Sequence, residues 1–498
     1  MPSQNEVSTM TSDDRVRPEE EDTNPMSNPH EFDSPAIIEA LIVNSRRNWT
    51  HAPRYLGSDG LTSCQRTIYD KFADIINIPS FQYISKTSAG WLIVGDNRAE
   101  VSARVSLLVE RYGIGVGMMV LHAQQMCSRH VLTEITENGV TRDLLQPTEM
   151  VCGASNERVL YAPIRSFRSD TSKLAQLSIV KPKQFWDQSR LVAHKRDSKP
   201  FCFYCSASEI NPAEVIVDLS GRRLGLSRDY SLGFTFAPFG NPLSVMHFLA
   251  WDHASNPLDM SRAPMTVSDL VRMTRLINVS IRDFFEGRGC TPLPVVDGFS
   301  NGWAGNSIYH QHFQFFQPEY PGPLAEPDRI GKDLLLERDD IRVSRLRWRA
   351  PMYQITADHT INVGLVGNDT AGIWRFLGIK GEKGRMHTQN LYVRGNDLGR
   401  SVFIILRDRD KVNFEPSETD FVDLQREKKS QTKMNMGVLE ASGTLIVDDY
   451  ASFQEMAGWQ AEDISEQVRQ MTTAIAPSPV DIEEFENTII SLFAADQE

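Results

Sequence analysis

Two imidazoles and a carboxamide stand at alternate positions in Tyr309-His310-Gln311-His312-Phe313-Gln314, beside Ile308, Phe315 and Phe316. In an extended strand, residues two apart project from the same face. The spacing therefore predicts His310, His312 and Gln314 as a polar row on a strand otherwise made for burial. Burying three polar side chains is costly unless each finds a partner. The residue types suit phosphate chemistry, because a neutral imidazole can attack phosphorus and an amide can hold a phosphoryl oxygen. Core histidines satisfied by backbone groups are the competing reading. It weakens with every regular member that needs its own partner.

A second signal lies upstream in Cys202-Phe203-Tyr204-Cys205. A Cys-x-x-Cys pair is half of a tetrahedral zinc site, and two more ligands must come from elsewhere. A redox pair and two buried free thiols are the alternatives. Arg222, Arg223 and Arg228 are cations available to neutralise phosphates, or else a solvated face.

The row resembles the active-site strand of the histidine-triad superfamily, and within it the galactose-1-phosphate uridylyltransferase and nucleotide phosphorylase branch. That branch carries a glycine, a serine two residues on, and then His-x-His-x-Gln, matched here by Gly305, Ser307, His310, His312 and Gln314. The hydrolase branch usually has a third histidine where this chain has Gln314. The resemblance implies His312 as the nucleophile that takes a nucleoside monophosphate, with Gln314 hydrogen-bonded to its phosphoryl oxygens. It implies a structural zinc ion as cofactor, held by Cys202, Cys205, His253 and His310, with His247 the competitor of His253 unless it packs or hydrogen-bonds within its strand. Ser307, Asn301 and Asn241 (in the apolar segment Phe234–Pro242 that the family places near the base) are the implied substrate contacts, and Arg222 is the cation expected to join them. In the last third, Met436–Val447 resembles a segment of the GDP-hexose and diadenosine polyphosphate phosphorylases. That comparison implies Arg407, Arg409 and Lys433 as contacts for an acceptor phosphate.

Several elements must position these residues. Glu214–Leu219 alternates like a strand and Ser220–Arg223 reads as a turn. Val245–Ala250 is an apolar strand. Thr266 to Gly287 carries a helical stripe of Leu270, Met273, Ile277, Ile281, Phe284 and Phe285, with Thr266 and Asp269 as a capping box. Arg342–Thr356 alternates, and Ser401–Arg409 is a buried strand running into charge. Before residue 190, Ala89–Val94 and Gly115–Leu121 read as strands and Val101–Tyr112 as a helix. Gly113, Gly115 and Gly117 are periodic but lack a dinucleotide fingerprint. His122 and His130 with Cys127 make either a further metal site or a helix face.

The fold expected is α+β: duplicated histidine-triad-like halves of antiparallel sheet with packed helices, plus an N-terminal extension. The boundaries expected are an acidic disordered tail at 1–34 and an extension at 35–190. A catalytic half with the zinc site follows at 191–330, and a second half at 331–498. The chain has 498 residues, 41% of them hydrophobic, and no apolar run of about 18, so no membrane is expected. A formal charge of −13 argues against nucleic acid as a partner. Six cysteines in this length suit a reducing cytoplasm rather than a disulfide scaffold. The expected partners are a nucleoside diphosphate sugar or dinucleoside polyphosphate as donor and phosphate or a sugar phosphate as acceptor, with a homodimer as the assembly. The rival readings are a zinc-stabilised nucleotide-binding or assembly protein without turnover, and a dinucleotide hydrolase.

Overall fold

The computed structural model describes in its main blocks residues 61–78, 97–128, 150–162, 215–234, 245–252, 267–300, 312–318, 330–338, 341–357, 387–408, 437–447, 450–474 and 476–494. Short strand pairs before residue 145 and a few residues between 322 and 327 complete the description.

Ten of the described strands form one sheet. In chain order they are β1 (Ile216–Leu219), β2 (Tyr230–Phe234), β3 (His247–Asp252), β4 (Asp297–Ser300), β5 (His312–Phe316), β6 (Lys332–Arg338), β7 (Ile341–Leu346), β8 (Met352–Ala357), β9 (His387–Val393) and β10 (Ser401–Asp408). Across the sheet they lie in the order β6-β7-β8-β10-β9-β4-β5-β3-β2-β1, and every neighbouring pair is antiparallel. From either edge inward the chain runs first, second, third, fifth, fourth. The two fourth strands, β4 and β9, meet at the centre with Phe299 opposite Tyr392.

The alternation of β5 divides its side chains between two layers. Phe313 and Phe315 join a core built with Phe248 and Ala250 of β3, whereas Phe316 joins a second core with Phe299, Tyr392 and Phe403. Each such phenyl ring, 6% exposed or less, contributes roughly 1.5–3 kcal/mol by leaving water. The first core is roofed by helices α1 (Ser63–Ile76), α2 (Arg98–Tyr112), α3 (Ile114–Ser128) and α4 (Val267–Phe285). Residues of the N-terminal extension therefore share a core with the strand that carries His312. The second core is covered by a three-stranded sheet in which Arg158–Tyr161 lies between Met150–Cys152 and a parallel Thr444–Val447, and α5 (Ala461–Ala474) contributes Ile464, Val468 and Met471 to that core. Helices and antiparallel sheet make the fold α+β, as expected.

The helix expected from Thr266 is α4, and that expected over Val101–Tyr112 is α2. The expected capping box falls on Thr266, outside the described residues, but its partner Asp269 has a further task. Its carboxylate accepts from Ser227 N, Ser227 Oγ and Tyr230 Oη and so ties α4 to the turn before β2. Ser220–Arg223 is not a plain turn, since Gly221–Leu224 forms one turn of helix. The largest correction concerns Gly115–Leu121, which is not a strand but part of α3. A Cβ on Gly115 would stand 2.2 Å from the Ile277 carbonyl oxygen of α4, and one on Gly117 2.5 Å from Val109 Cγ2 of α2. The glycines thus let α3 lie directly against its neighbours, a packing role and not a phosphate-binding one. Buried on all sides (Ile114, Val116, Met118, Val120 and Leu121 each 0% exposed), α3 has no polar stripe to betray its period.

Candidate active site

Strand β5 is held between β3 and β4, with Trp251 opposite His312 and both Leu249 and Phe299 opposite Gln314. His312, Gln314 and Phe316 face the second core, away from the helices. The helical side is tightly filled: Gly298 of β4 lacks the Cβ that would meet Thr274 Oγ1 at 2.1 Å, and this lets α4 settle on the sheet. A rigid, doubly paired strand is what a precisely aimed nucleophile needs.

The expected sharing of a face is visible in the contact itself: Gln314 Nε2 stands 3.4 Å from His312 Nε2. On its other side Gln314 Oε1 lies 3.0 Å from Nε2 of His247, which reaches diagonally from β3. His312 is 4% exposed and His247 2%, while Gln314 is half-buried. His247 is therefore hydrogen-bonded within the sheet, the option left open beside its candidacy for zinc. The signal for it in the sequence was its place two before Leu249 and four before Trp251, on one face of β3.

Two further polar groups lie on this face: Asp297, which no sequence pattern singled out, and Arg407, which the resemblance implied. Asp297 of β4 is 5% exposed; it accepts from the Tyr392 hydroxyl of β9 and, at 2.7 Å, from Gly395 N. Burial pushes its carboxyl up to about 6 even though these hydrogen bonds and Arg394 oppose the rise, and burial next to Asp297 pushes the Tyr392 hydroxyl well above the ordinary phenol range. Arg407 of β10 is fully buried, with Nη1 donating to Asn390 Oδ1 at 3.1 Å. Burial pulls its guanidinium down to about 10, and the charge of Glu440 partly offsets this. Arg407 was expected to contact acceptor phosphate, and in this state it is covered. A small pocket, partly open to solvent, lies further along the same face, lined among others by Leu160, Val245, Phe316, Tyr392, Leu439 and Thr444. Phe316 is four residues beyond His312, roughly 13 Å along a strand.

Of the expected site residues, His312, Gln314, Arg407 and Arg222 fall within the described structure. Arg222 is exposed in the short helix between β1 and β2, two to three strands from β5 and so about 10–14 Å across the sheet, at the end of the sheet where His312 lies. Ser307, Asn301, Asn241 and Arg409 lie outside the described residues, and so do all four of the expected zinc set, Cys202, Cys205, His253 and His310. Among the described residues no group of three or more His, Cys, Asp or Glu could hold a metal ion. No described helix is long and apolar enough to cross a membrane.

No family model matches the sequence, and no curated protein matches it either. Two solved structures are similar to it. One is a yeast Ap4A phosphorylase in complex with Ap4A, at 13% identity over 67% of this chain and 90% of that one, with a TM-score of 0.38. The other is a DUF4931 family protein from Bacillus cereus, at 13% identity over 45% of this chain and 88% of that one, with a TM-score of 0.23. Neither likeness is close enough to carry a residue's role across, so the chemistry must be argued from the site.

Proposed function

We propose that the chain is a nucleotidyltransferase or phosphorylase working through a covalent histidine intermediate. Its donor would be a nucleoside diphosphate sugar or a dinucleoside polyphosphate. In the first step His312 Nε2 forms a bond to the α-phosphorus, and the bond to the leaving phosphate oxygen breaks with its electron pair. In the second, an oxygen of phosphate or a sugar phosphate bonds to that phosphorus and releases the imidazole. Each step inverts phosphorus, so the net outcome is retention. The observation that carries this reading is the His312–Gln314 pair, an imidazole and an amide 3.4 Å apart on one face of a doubly paired strand. Amide N–H groups fixed beside a nucleophile stabilise charge on phosphoryl oxygens as it develops, without reorganising. A phosphate leaving group needs that charge stabilisation more than it needs a proton.

Burial bears on the choice of acceptor. With His312 only 4% exposed, a donor phosphate reaches Nε2 only when the groups covering it give way, and a site that excludes water to this degree protects a phosphoramidate from hydrolysis. This favours transfer to a bound phosphate over hydrolysis. The same burial also supports a second reading, a non-catalytic nucleotide-binding or assembly protein whose polar row survives as packing. Zinc at Cys202, Cys205, His253 and His310 is part of the proposal and is tested separately, by elemental analysis of purified protein. A cytoplasmic location is proposed on the same footing, from cysteine usage.

The deciding experiment incubates the protein with labelled nucleoside diphosphate sugars and with diadenosine polyphosphates. An acid-labile, base-stable adduct that is absent in His312→Ala, and discharged only by phosphate or a sugar phosphate, supports transfer. Discharge by water alone indicates a hydrolase. Nucleotide bound with no adduct and no turnover leaves the binding protein.

A further inference from the structure

The hydrogen bond from His247 has a direction, and that direction decides which end of the Gln314 amide meets the nucleophile. Gln314 Oε1 carries no hydrogen, so in the 3.0 Å contact it must be His247 Nε2 that donates. The oxygen end of the amide is thereby held toward β3. Its NH₂ end is left facing His312 Nε2 at 3.4 Å, and an amide nitrogen can only donate. His312 Nε2 must then accept, which means that the nitrogen nearest the amide keeps a lone pair. Were the amide turned over, its oxygen would face His312 and favour a proton on the same nitrogen, masking the lone pair that attacks.

We infer that His247 is a positioning residue that fixes the polarity of the Gln314 amide and so keeps His312 Nε2 in its nucleophilic form. The inference rests on the reading of His312 as the nucleophile. Nothing in the chain's short-range pattern requires it, since His247 and Gln314 are 67 residues apart and meet only through the antiparallel register of β3 and β5. The geometry suits the task. His247 lies opposite Phe316, not opposite Gln314, so it reaches along the diagonal, within range for a long side chain. Its ring sits 6.3 Å from that of Phe316, and at 2% exposure it has little water to exchange its bond with. When the Nε2–phosphorus bond forms and the bond to the leaving phosphate breaks, the amide N–H loses its nitrogen acceptor. It is then free to donate to a phosphoryl oxygen, while His247 still holds Oε1.

The test compares His247→Phe, which keeps a ring and loses the donor, with His247→Gln, which restores an N–H. Single-turnover adduct formation with diadenosine tetraphosphate is read beside nucleotide affinity. The tautomer of His312 is read by nitrogen NMR on histidine-labelled full-length protein. The expected result is a fall of about 10- to 100-fold in adduct rate for His247→Phe, the range for a residue that orients a functional group. Affinity stays within about two-fold, and His247→Gln recovers much of the rate. In a Gln314→Ala background, His247→Phe has no further effect, because the two act as one unit. A shift of the His312 tautomer in folded His247→Phe completes the case. An unchanged adduct rate overturns the inference, and so does an undiminished effect in the Gln314→Ala background. If His247→Phe fails to fold, His247→Gln decides: a folded His247→Gln with the wild-type tautomer and rate supports the inference, and one with the altered tautomer overturns it. Should the wild-type protein bind nucleotide and form no adduct, the catalytic reading of His312 fails, and the tautomer comparison still decides whether His247 sets the amide.

Discussion

The two halves of the ten-stranded sheet share a strand order and differ in what that order presents. Counted outward from Phe299 opposite Tyr392 at the seam, Gln314 corresponds to Phe403, His312 to Ser401, Phe316 to Ile405 and His247 to Met352. In the first half these positions form a linked polar row. In the second, Ser401 finds Gln354 at 3.1 Å and the rest is hydrocarbon. Asp297 and Asn390 are counterparts too. One accepts from the Tyr392 hydroxyl and the other from Arg407. One framework thus supports both a polar row and a packed core, provided that every buried polar group finds its partner in the plane of the face. The difference is chemical, not topological. It predicts that matched substitutions in the two halves will have opposite readouts.

The largest effect expected separates His312 from its counterpart. His312→Ala should remove the phosphoramidate and lower turnover by on the order of 10,000-fold or more, as loss of a covalent nucleophile does. Ser401→Ala, at the matched place, should leave turnover per folded molecule unchanged and lower stability by about 1 kcal/mol through the lost bond to Gln354. Rapid-quench kinetics and thermal melts on both variants measure this. A catalytic defect in Ser401→Ala as large as that in His312→Ala would break the contrast.

Next come Gln314 and Phe403. Removing the amide in Gln314→Ala should slow adduct formation by about 100- to 1,000-fold, the usual cost of one lost donor to a developing charge. Stability should fall by about 1–3 kcal/mol, because the deletion takes away the acceptor of the buried His247 donor. Phe403→Ala should lose more stability and keep its rate. Phe403 is 0% exposed, and its deletion opens a cavity costing about 3–5 kcal/mol. Denaturant titration and single-turnover rates together show whether the two properties separate by half.

The seam gives a pH test. Burial raises the Asp297 carboxyl from 3.8 to about 6 in the folded chain. Between those values the folded state holds a proton that the unfolded state has released, so stability falls as pH rises through this window. It falls by about 3 kcal/mol in all and is flat above the folded value. Asp297→Asn should flatten that slope in denaturant titrations from pH 4 to 7. A wild-type stability that rises across the same window, with the slope unchanged in Asp297→Asn, contradicts the burial account.

The legibility of the two halves was unequal for the same reason. His-x-His-x-Gln is visible because three polar residues at period two contradict a burying strand, and β5 does place His312 and Gln314 together. The second half has no such contradiction: Ser401, Phe403 and Ile405 read as an ordinary buried strand, and their correspondence in position with the row appears only once strand order is known. The stripe of α4 was legible because one of its faces is wet. The period of α3 was not, since its residues meet protein on every side and its glycines, which resemble a loop or strand signal, serve the close approach to Ile277 and Val109. Partners far apart in sequence, such as Asp297 with Tyr392 or His247 with Gln314, leave no local trace at all.

The smallest expected effect concerns the rim of the first half, where Arg222 was a candidate to neutralise phosphate. Its side chain is exposed on the β1–β2 connection, two to three strands from β5 and so about 10–14 Å across the sheet. That distance exceeds the Debye length of about 8 Å at physiological ionic strength. A charge so placed steers a polyphosphate donor weakly and holds none of its oxygens. Arg222→Ala should therefore raise the apparent dissociation constant of a dinucleoside polyphosphate by less than about three-fold, and that change should disappear above roughly 0.5 M salt as the screening length shrinks further. Equilibrium binding across a salt series measures it. A loss of ten-fold or more that persists in high salt would require direct contact, and would mean that the bound state draws the β1–β2 connection over the polar row.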